Sequence, residues 1–341
     1  MAAEFDLVVR GGNQVTAASP RYGYPFSAAM AFATDADVIV LKSYNAVYDQ
    51  HRVVLEVNGQ RLSDSQTTLR FEDSVAKKFY NPGGLMIDFR GTALAGQTKR
   101  LRLQTSGGFG LLASQIVVEQ GARVWTEAPA HRWKLAVEGD SLTQGGYHTP
   151  YQIGQDWVTQ VGRLLGADAS NFAQGGTGFL SDNHGSKSTY IQRVDRLAAL
   201  KADVYLIAGN HNDSDFPAPQ QIDAALAYFK RLRALQPDAL IVVAGPNPLQ
   251  GESVVSGQLV EAERNLRQAF DAWGDAHAAF IPVTTDPNGP WINGTGAVDT
   301  PHSDGNMDHY YITVDGHPLQ RGVDYLAQRY AQALRKLLGA P

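Results

Sequence analysis

A serine in a glycine-flanked turn, directly after an apolar run, is the first pattern in this chain with the means to do chemistry. Leu135-Ala136-Val137 reads as a buried parallel strand and leads through Glu138 into Gly139-Asp140-Ser141-Leu142, with Gly145-Gly146 just beyond. A hydroxyl on a sharp turn past the end of a central strand faces a substrate, and backbone N–H groups beside it are free to hold an oxyanion. Three more polar loops share that placement. Gln174-Gly175-Gly176-Thr177-Gly178 follows a strand expected near 169–173, and Gly209-Asn210-His211-Asn212-Asp213 follows one over 202–208. Thr313-Val314-Asp315-Gly316-His317-Pro318 precedes the last helix. A hydroxyl nucleophile, two sets of backbone or amide donors, and an acid beside a histidine make up the inventory for acyl transfer by a serine.

The elements that must position these loops follow from apolar spacing. From Trp133 onward, strands expected at 135–137, 169–173, 202–208, 240–244 and 279–283 alternate with helices at 155–165, 190–200, 221–235, 261–273 and 319–338. The helix over 190–200 is expected to bury Ile191, Val194, Leu197 and Leu200. Such alternation implies a parallel sheet covered on both faces, with the ligand site outside the carboxyl ends of its strands. Before it, residues 1 to about 128 read as β structure, with strands over 37–42, 52–57, 99–104 and 113–119 and Asn58-Gly59 as a tight hairpin turn. Short strands joined by Gly, Asn and Pro turns suggest a β-sandwich or jelly roll. Glu127-Ala128-Pro129-Ala130-His131 reads as the junction, which gives an accessory module over 1–130 and a catalytic domain over 131–341. Tyr22, Tyr24, Tyr44, Tyr48 and Tyr80 either line a sugar-binding face of the module or pack at its sheet edges.

Composition narrows the function classes. With 341 residues, two domains are expected. A net charge of −5, without a Lys/Arg cluster, argues against a nucleic-acid partner. The absence of cysteine removes disulfides, thiolate chemistry and Cys-based metal sites. Met1-Ala2-Ala3-Glu4-Phe5-Asp6 lacks a basic stretch followed by an apolar run, so no signal peptide is expected, and no segment approaches the ~20 apolar residues of a membrane span. No membrane partner is therefore expected, while compartment and oligomeric state stay unassigned.

The loops resemble the four blocks of the SGNH/GDSL hydrolase family, over residues of about 133 to 338. The resemblance implies a flavodoxin-like three-layer α/β/α domain. It implies that Ser141 of Gly-Asp-Ser-Leu is the nucleophile and that Gly176, in Asn-x-x-x-Gly-Gly-Thr-Gly, turns its N–H into the oxyanion hole. Asn212 resembles the third-block asparagine, and His317, in His-Pro-x-x-x-Gly, the fourth-block histidine. With the Ser141 N–H, Gly176 and Asn212 then form the oxyanion hole, and neither metal nor organic cofactor is required. Two departures stand out. Asn210 occupies a usual glycine position and rivals Asn212 as amide donor. Asp315-Gly316-His317 is one residue shorter than the family's Asp-x-x-His, so Asp315 completes a triad only if Gly316 bends the chain; otherwise the site is a Ser–His dyad. Asp299-Thr300-Pro301-His302 has the family spacing but lacks the following helix, and is expected to be a decoy.

The remaining candidates have plainer readings. Asp140 is expected to hold the turn together, His211 to touch substrate or to be a solvated loop histidine, and Trp291 to flank the acyl pocket or pack in the core. His302, His309, Asp304 and Asp308 superficially resemble a metal cluster but read as polar surface. A β-module before such a domain resembles the two-domain carbohydrate esterases. The expected function is a serine esterase releasing acetyl groups from carbohydrate or another small ester. The rivals are a catalytically weak carbohydrate-binding or structural protein, and a lipase or thioesterase, although no apolar lid insertion follows the loops.

Overall fold

The computed structural model describes residues 27–45, 51–61, 67–69, 81–106, 113–125, 133–145, 156–209, 211–251, 257–314 and 316–339. They divide into two compact units, one within 27–130 and the other within 131–341.

The first unit is all-β. Its strands are β1 (Ser27–Thr34), β2 (Val38–Asn45), β3 (His51–Val57), β4 (Gln60–Arg61), β5 (Thr67–Leu69), β6 (Asn81–Asp88), β7 (Lys99–Ser106), β8 (Ala113–Val118) and β9 (Val124–Trp125). One antiparallel sheet runs β4-β3-β7-β1-β9 with β5 also on β3, and a second runs β6-β2-β8. Phe32, Val57 and Leu101 of the first sheet form one buried cluster with Ile39, Ile87 and Ile116 of the second, which is the core of a sandwich. The β3–β4 hairpin turns on Asn58 (φ 51°) and Gly59 (φ 80°), the left-handed pair that a two-residue loop requires. Lys99 is fully buried on β7, its Nζ 2.6 Å from the Asp37 carboxylate.

The second unit is an α/β sandwich. Its strands are β10 (Lys134–Glu138), β11 (Asp168–Asn171), β12 (Val204–Ala208), β13 (Leu240–Ala244) and β14 (Ala278–Ile281), all parallel, in the order β11-β10-β12-β13-β14. This is the flavodoxin-like order, whose switch point lies at the carboxyl end of β10. The helices are α1 (Ser141–Gln144), α2 (Trp157–Leu165), α3 (Tyr190–Ala198), α4 (Ala218–Leu235), α5 (Gln258–Trp273), α6 (Met307–Tyr310) and α7 (Gln320–Leu338). Because side chains alternate along a strand, each central strand feeds two cores. Leu135, Val137, Leu206 and Val242 pack with α2 and α7, while Ala136, Tyr205, Ile207 and Val243 pack with α3, α4 and α5. Each large apolar side chain sealed this way contributes roughly 1.5–3 kcal/mol. No described helix is long and apolar enough to cross a membrane.

One helix face departs from expectation. Ile191 is 38 % exposed, and the buried side of α3 is Tyr190, Arg193, Val194 and Leu197. A cation takes a core position there because the buried Glu138 carboxylate pairs with it.

Trp291 is 2 % exposed with its ring 4.8 Å from that of Tyr330, so it packs in the α2–α7 core.

Candidate active site

At the switch point, β10 ends in Glu138 and the chain folds sharply. A Cβ at Gly139 would lie 2.3 Å from Thr143 Oγ1, so only glycine permits the turn. Asp140 then caps α1, its Oδ1 accepting the Leu142 N–H at 2.9 Å. Ser141 is the first residue of that helix and is half-buried. The short helix is pinned from outside: Trp157 Nε1 donates to Leu142 O at 3.1 Å, and Asn171 Nδ2 to Thr143 O at 2.9 Å.

The loop after β11 lies directly against this turn. Gln174 N–H donates to Gly139 O at 2.9 Å, and Gly175 N–H to Gln144 Oε1 at 2.5 Å. Gly176 has φ +75°, a left-handed conformation, and a Cβ there would meet Asn183 Oδ1 at 2.5 Å. After β12, Gly209 (φ +86°) opens a single 3-10 turn over His211–Asp213. Asp213 accepts the N–H groups of Phe179 (2.7 Å), Leu180 (3.1 Å) and Ser181 (2.8 Å), while Asn212 Nδ2 donates to Thr177 O at 3.0 Å. The second and third loops are thereby stitched together, and Asn212 keeps a second amide hydrogen to give. The last loop closes on Gly316 (φ +72°), whose carbonyl accepts the Gln250 N–H at 2.9 Å, just before His317. Nε2 of His317 is sealed from solvent.

Beneath these loops lies an ion pair. Glu138 is fully buried and Arg193 is 5 % exposed. Arg193 Nη2 stands 2.7 Å from Glu138 Oε1 and also donates to Gly139 O at 3.1 Å. Nη1 donates to Gln174 Oε1 at 3.3 Å and to Ser188 O. A single guanidinium so joins the first turn to the second loop. Glu138, Arg193 and Asp213 were not candidates from the sequence. A charged residue closing an apolar strand just before Gly139, and a cation at a core position of α3, were the signals available.

Electrostatics set two groups apart. Asp140 is 2 % exposed, and its Oδ2 finds no hydrogen-bond partner among the described residues. Burial pushes its carboxyl up to about 7; the Leu142 N–H opposes this and the Asp213 carboxylate adds to it. His211 is 7 % exposed, which overturns the solvated-loop alternative. Burial, and then the proximity of His317, push it down to about 4.

Asp299 and His302 are not a pair. Asp299 accepts from the N–H and hydroxyl of Thr313, and His302 Nδ1 meets Thr295 Oγ1 at 3.0 Å. Asp304 is taken by Thr295, and Asp308 by the N–H groups of His302 and Ser303. Asp315, Asn210, Tyr22, Tyr24, Tyr48, Tyr80, the side chain of Tyr44 and the 127–131 junction lie outside the described residues.

A flavodoxin-like sheet carrying a Gly-Asp-Ser-Leu turn at its switch point defines the class of protein, a carboxylic ester hydrolase. The chain belongs to the GDSL-like Lipase/Acylhydrolase family, whose model matches residues 137–324, more than half of its length. No curated protein matches it in sequence. Among solved structures it is similar to a family two carbohydrate esterase from Clostridium thermocellum in complex with cellohexaose, with TM-score 0.65 and 14 % identity over 94 % of each chain. It is similar to the acetyl xylan esterase Est2A from Butyrivibrio proteoclasticus, with TM-score 0.62 and 14 % identity over 98 % of this chain and 96 % of that one. It is also similar to the salicylyl-acyltransferase SsfX3, with TM-score 0.61 and 14 % identity over 92 % of this chain and 84 % of that one. At such identities the likeness is one of fold.

Proposed function

We propose that this protein is a serine esterase that removes small acyl groups, acetyl foremost, from a carbohydrate through an acyl-enzyme on Ser141. Residues 131–341 are the catalytic domain and residues 1–130 an accessory β-module. The observation that carries the reading is the direct bonding of the loops at one sheet edge: Gln174 N–H to Gly139 O, and Asn212 Nδ2 to Thr177 O. His317 takes the Ser141 proton as the hydroxyl attacks the ester carbonyl, then gives it to the departing alcohol. Asp315, two residues earlier in sequence, orients the imidazole. The N–H groups of Ser141 and Gly176 and the free amide hydrogen of Asn212 hold the oxyanion, each donor lowering the barrier by ~3 kcal/mol. Water then attacks the acyl-enzyme through the same histidine.

Support for a carbohydrate substrate comes from the preceding β-sandwich and from the fold's likeness to one esterase crystallised with an oligosaccharide and another named for xylan. The test is hydrolysis of p-nitrophenyl esters of rising acyl length, and acetate release from acetylated xylan, by wild type, Ser141→Ala and Asp315→Ala. The expectation is acetate preference that vanishes in Ser141→Ala, with Asp315→Ala separating triad from dyad. Preference for long acyl chains would mean a lipase or thioesterase. Glycan binding without any turnover would mean a binding protein.

A further inference from the structure

The glycine turn at Gly175-Gly176 is closed from outside by a strap. Residues 182–187 fold back through Asn183 (φ 53°), His184 (φ 58°) and Gly185 (φ 78°), all left-handed. The strap is tied at both ends: Thr177 bridges Asp182, and Lys187 N–H donates to Asp182 O at 2.9 Å. Its Asn183 presses on the Gly176 Cα, and Ser181 Oγ, just before it, donates to Gly176 O at 3.0 Å. Lys187, at its far end, donates from Nζ to the Gly175 carbonyl at 2.5 Å. Gly175 N–H is already given to Gln144 Oε1. Every polar backbone group of the two glycines is thus engaged except the Gly176 N–H, which meets no acceptor among the described residues.

The carbonyl that Lys187 holds and the N–H left over belong to one peptide unit, Gly175–Gly176. A cation on a carbonyl oxygen draws electron density from the amide nitrogen, so the N–H on the same unit becomes a stronger donor. We infer that Lys187 is a positioning residue for ester hydrolysis, whose ammonium group fixes and polarises the Gly175–Gly176 peptide so that the Gly176 N–H binds the oxyanion more tightly. The inference rests on the proposed reading of Gly176 as an oxyanion donor. Lys187 is half-buried, and its burial, with Arg193 nearby, pushes its pKa below the ordinary lysine range. The carbonyl contact offsets part of that cost. An ammonium acting through a peptide strengthens an interaction that grows as charge develops on the substrate oxygen, so its effect belongs to kcat.

The experiment is steady-state hydrolysis of p-nitrophenyl acetate by wild type, Lys187→Met, Lys187→Gln, Lys187→Arg and Ser141→Ala, with inhibition by phenylboronic acid, which forms a tetrahedral adduct on a serine. A full oxyanion donor is worth about 10²–10³ in rate and polarisation strengthens a hydrogen bond by about 10–30 %. Lys187→Met should therefore lower kcat about two- to eight-fold, hold KM at that of wild type, and weaken boronate binding by the same factor as kcat. Lys187→Gln should lose nearly as much, and Lys187→Arg should recover most of it. An unchanged kcat, a loss carried by KM, or an unchanged boronate affinity in both uncharged variants would overturn the inference. If Ser141→Ala is inactive while these variants match wild type, the inference alone fails. If Ser141→Ala remains active, the reading of the site fails with it.

Discussion

Arg193 and Glu138 form an ion pair shielded from water, 2.7 Å apart, and the same guanidinium donates to the backbone of the serine turn at Gly139 O. A pair of this kind is costly to break because one partner is left charged and buried. Arg193→Met or Glu138→Gln should each cost about 3–5 kcal/mol of stability, and Arg193→Met/Glu138→Gln together clearly less than the sum. Urea unfolding of the three variants measures this. Strict additivity would mean that the two charges do not depend on each other.

Asp140 gives a pH dependence of definite sign. Its folded pKa, about 7, lies above its unfolded value near 4, so the folded state binds the extra proton between them. Its contribution to stability is full below pH 4 and falls by about 1.4 kcal/mol per unit until pH 7, after which it is flat. Asp140→Asn keeps a capping side chain and removes the titration. The stability difference, wild type minus Asp140→Asn, should therefore decline from pH 4.5 to 7 and level off above. A difference independent of pH would show that Asp140 ionises freely in the fold.

Asp299 and His302 have the spacing usual for the acid–histidine pair of the family, yet each side chain has another partner, in Thr313 and Thr295 respectively. Asp299→Asn and His302→Ala should keep ester turnover within about twofold, whereas His317→Ala should remove it by more than about 10²-fold. A collapse of turnover in His302→Ala would reverse the assignment.

The contrast among these residues shows what was legible in the sequence. The strands and helices read from local periodicity, and the Asn58-Gly59 hairpin, lie within a few residues of where they were expected, whereas β1, β6 and α6 were not singled out by it. Ser141, Gly176 and Asn212 became candidates because short motifs sit at strand ends, a position that one-dimensional order preserves. The pairing of Glu138 with Arg193 spans 55 positions, and periodicity, which sees Ile191 and not Arg193 as the inward residue, cannot register it. Burial of His211 was equally hidden, since a loop's depth depends on what packs over it. Lys187 belongs to a strap whose Asn183-His184-Gly185 run favours left-handed backbone but does not say what the strap closes over.

If Ser141 carries the acyl group, an active-site serine reagent labels it covalently. Treatment with a fluorophosphonate followed by peptide mass mapping should place one adduct on Ser141, with none in Ser141→Ala and much slower labelling in His317→Ala. Ester turnover persisting in Ser141→Ala, or an adduct on another residue in step with inactivation, would mean that the acyl group is carried elsewhere.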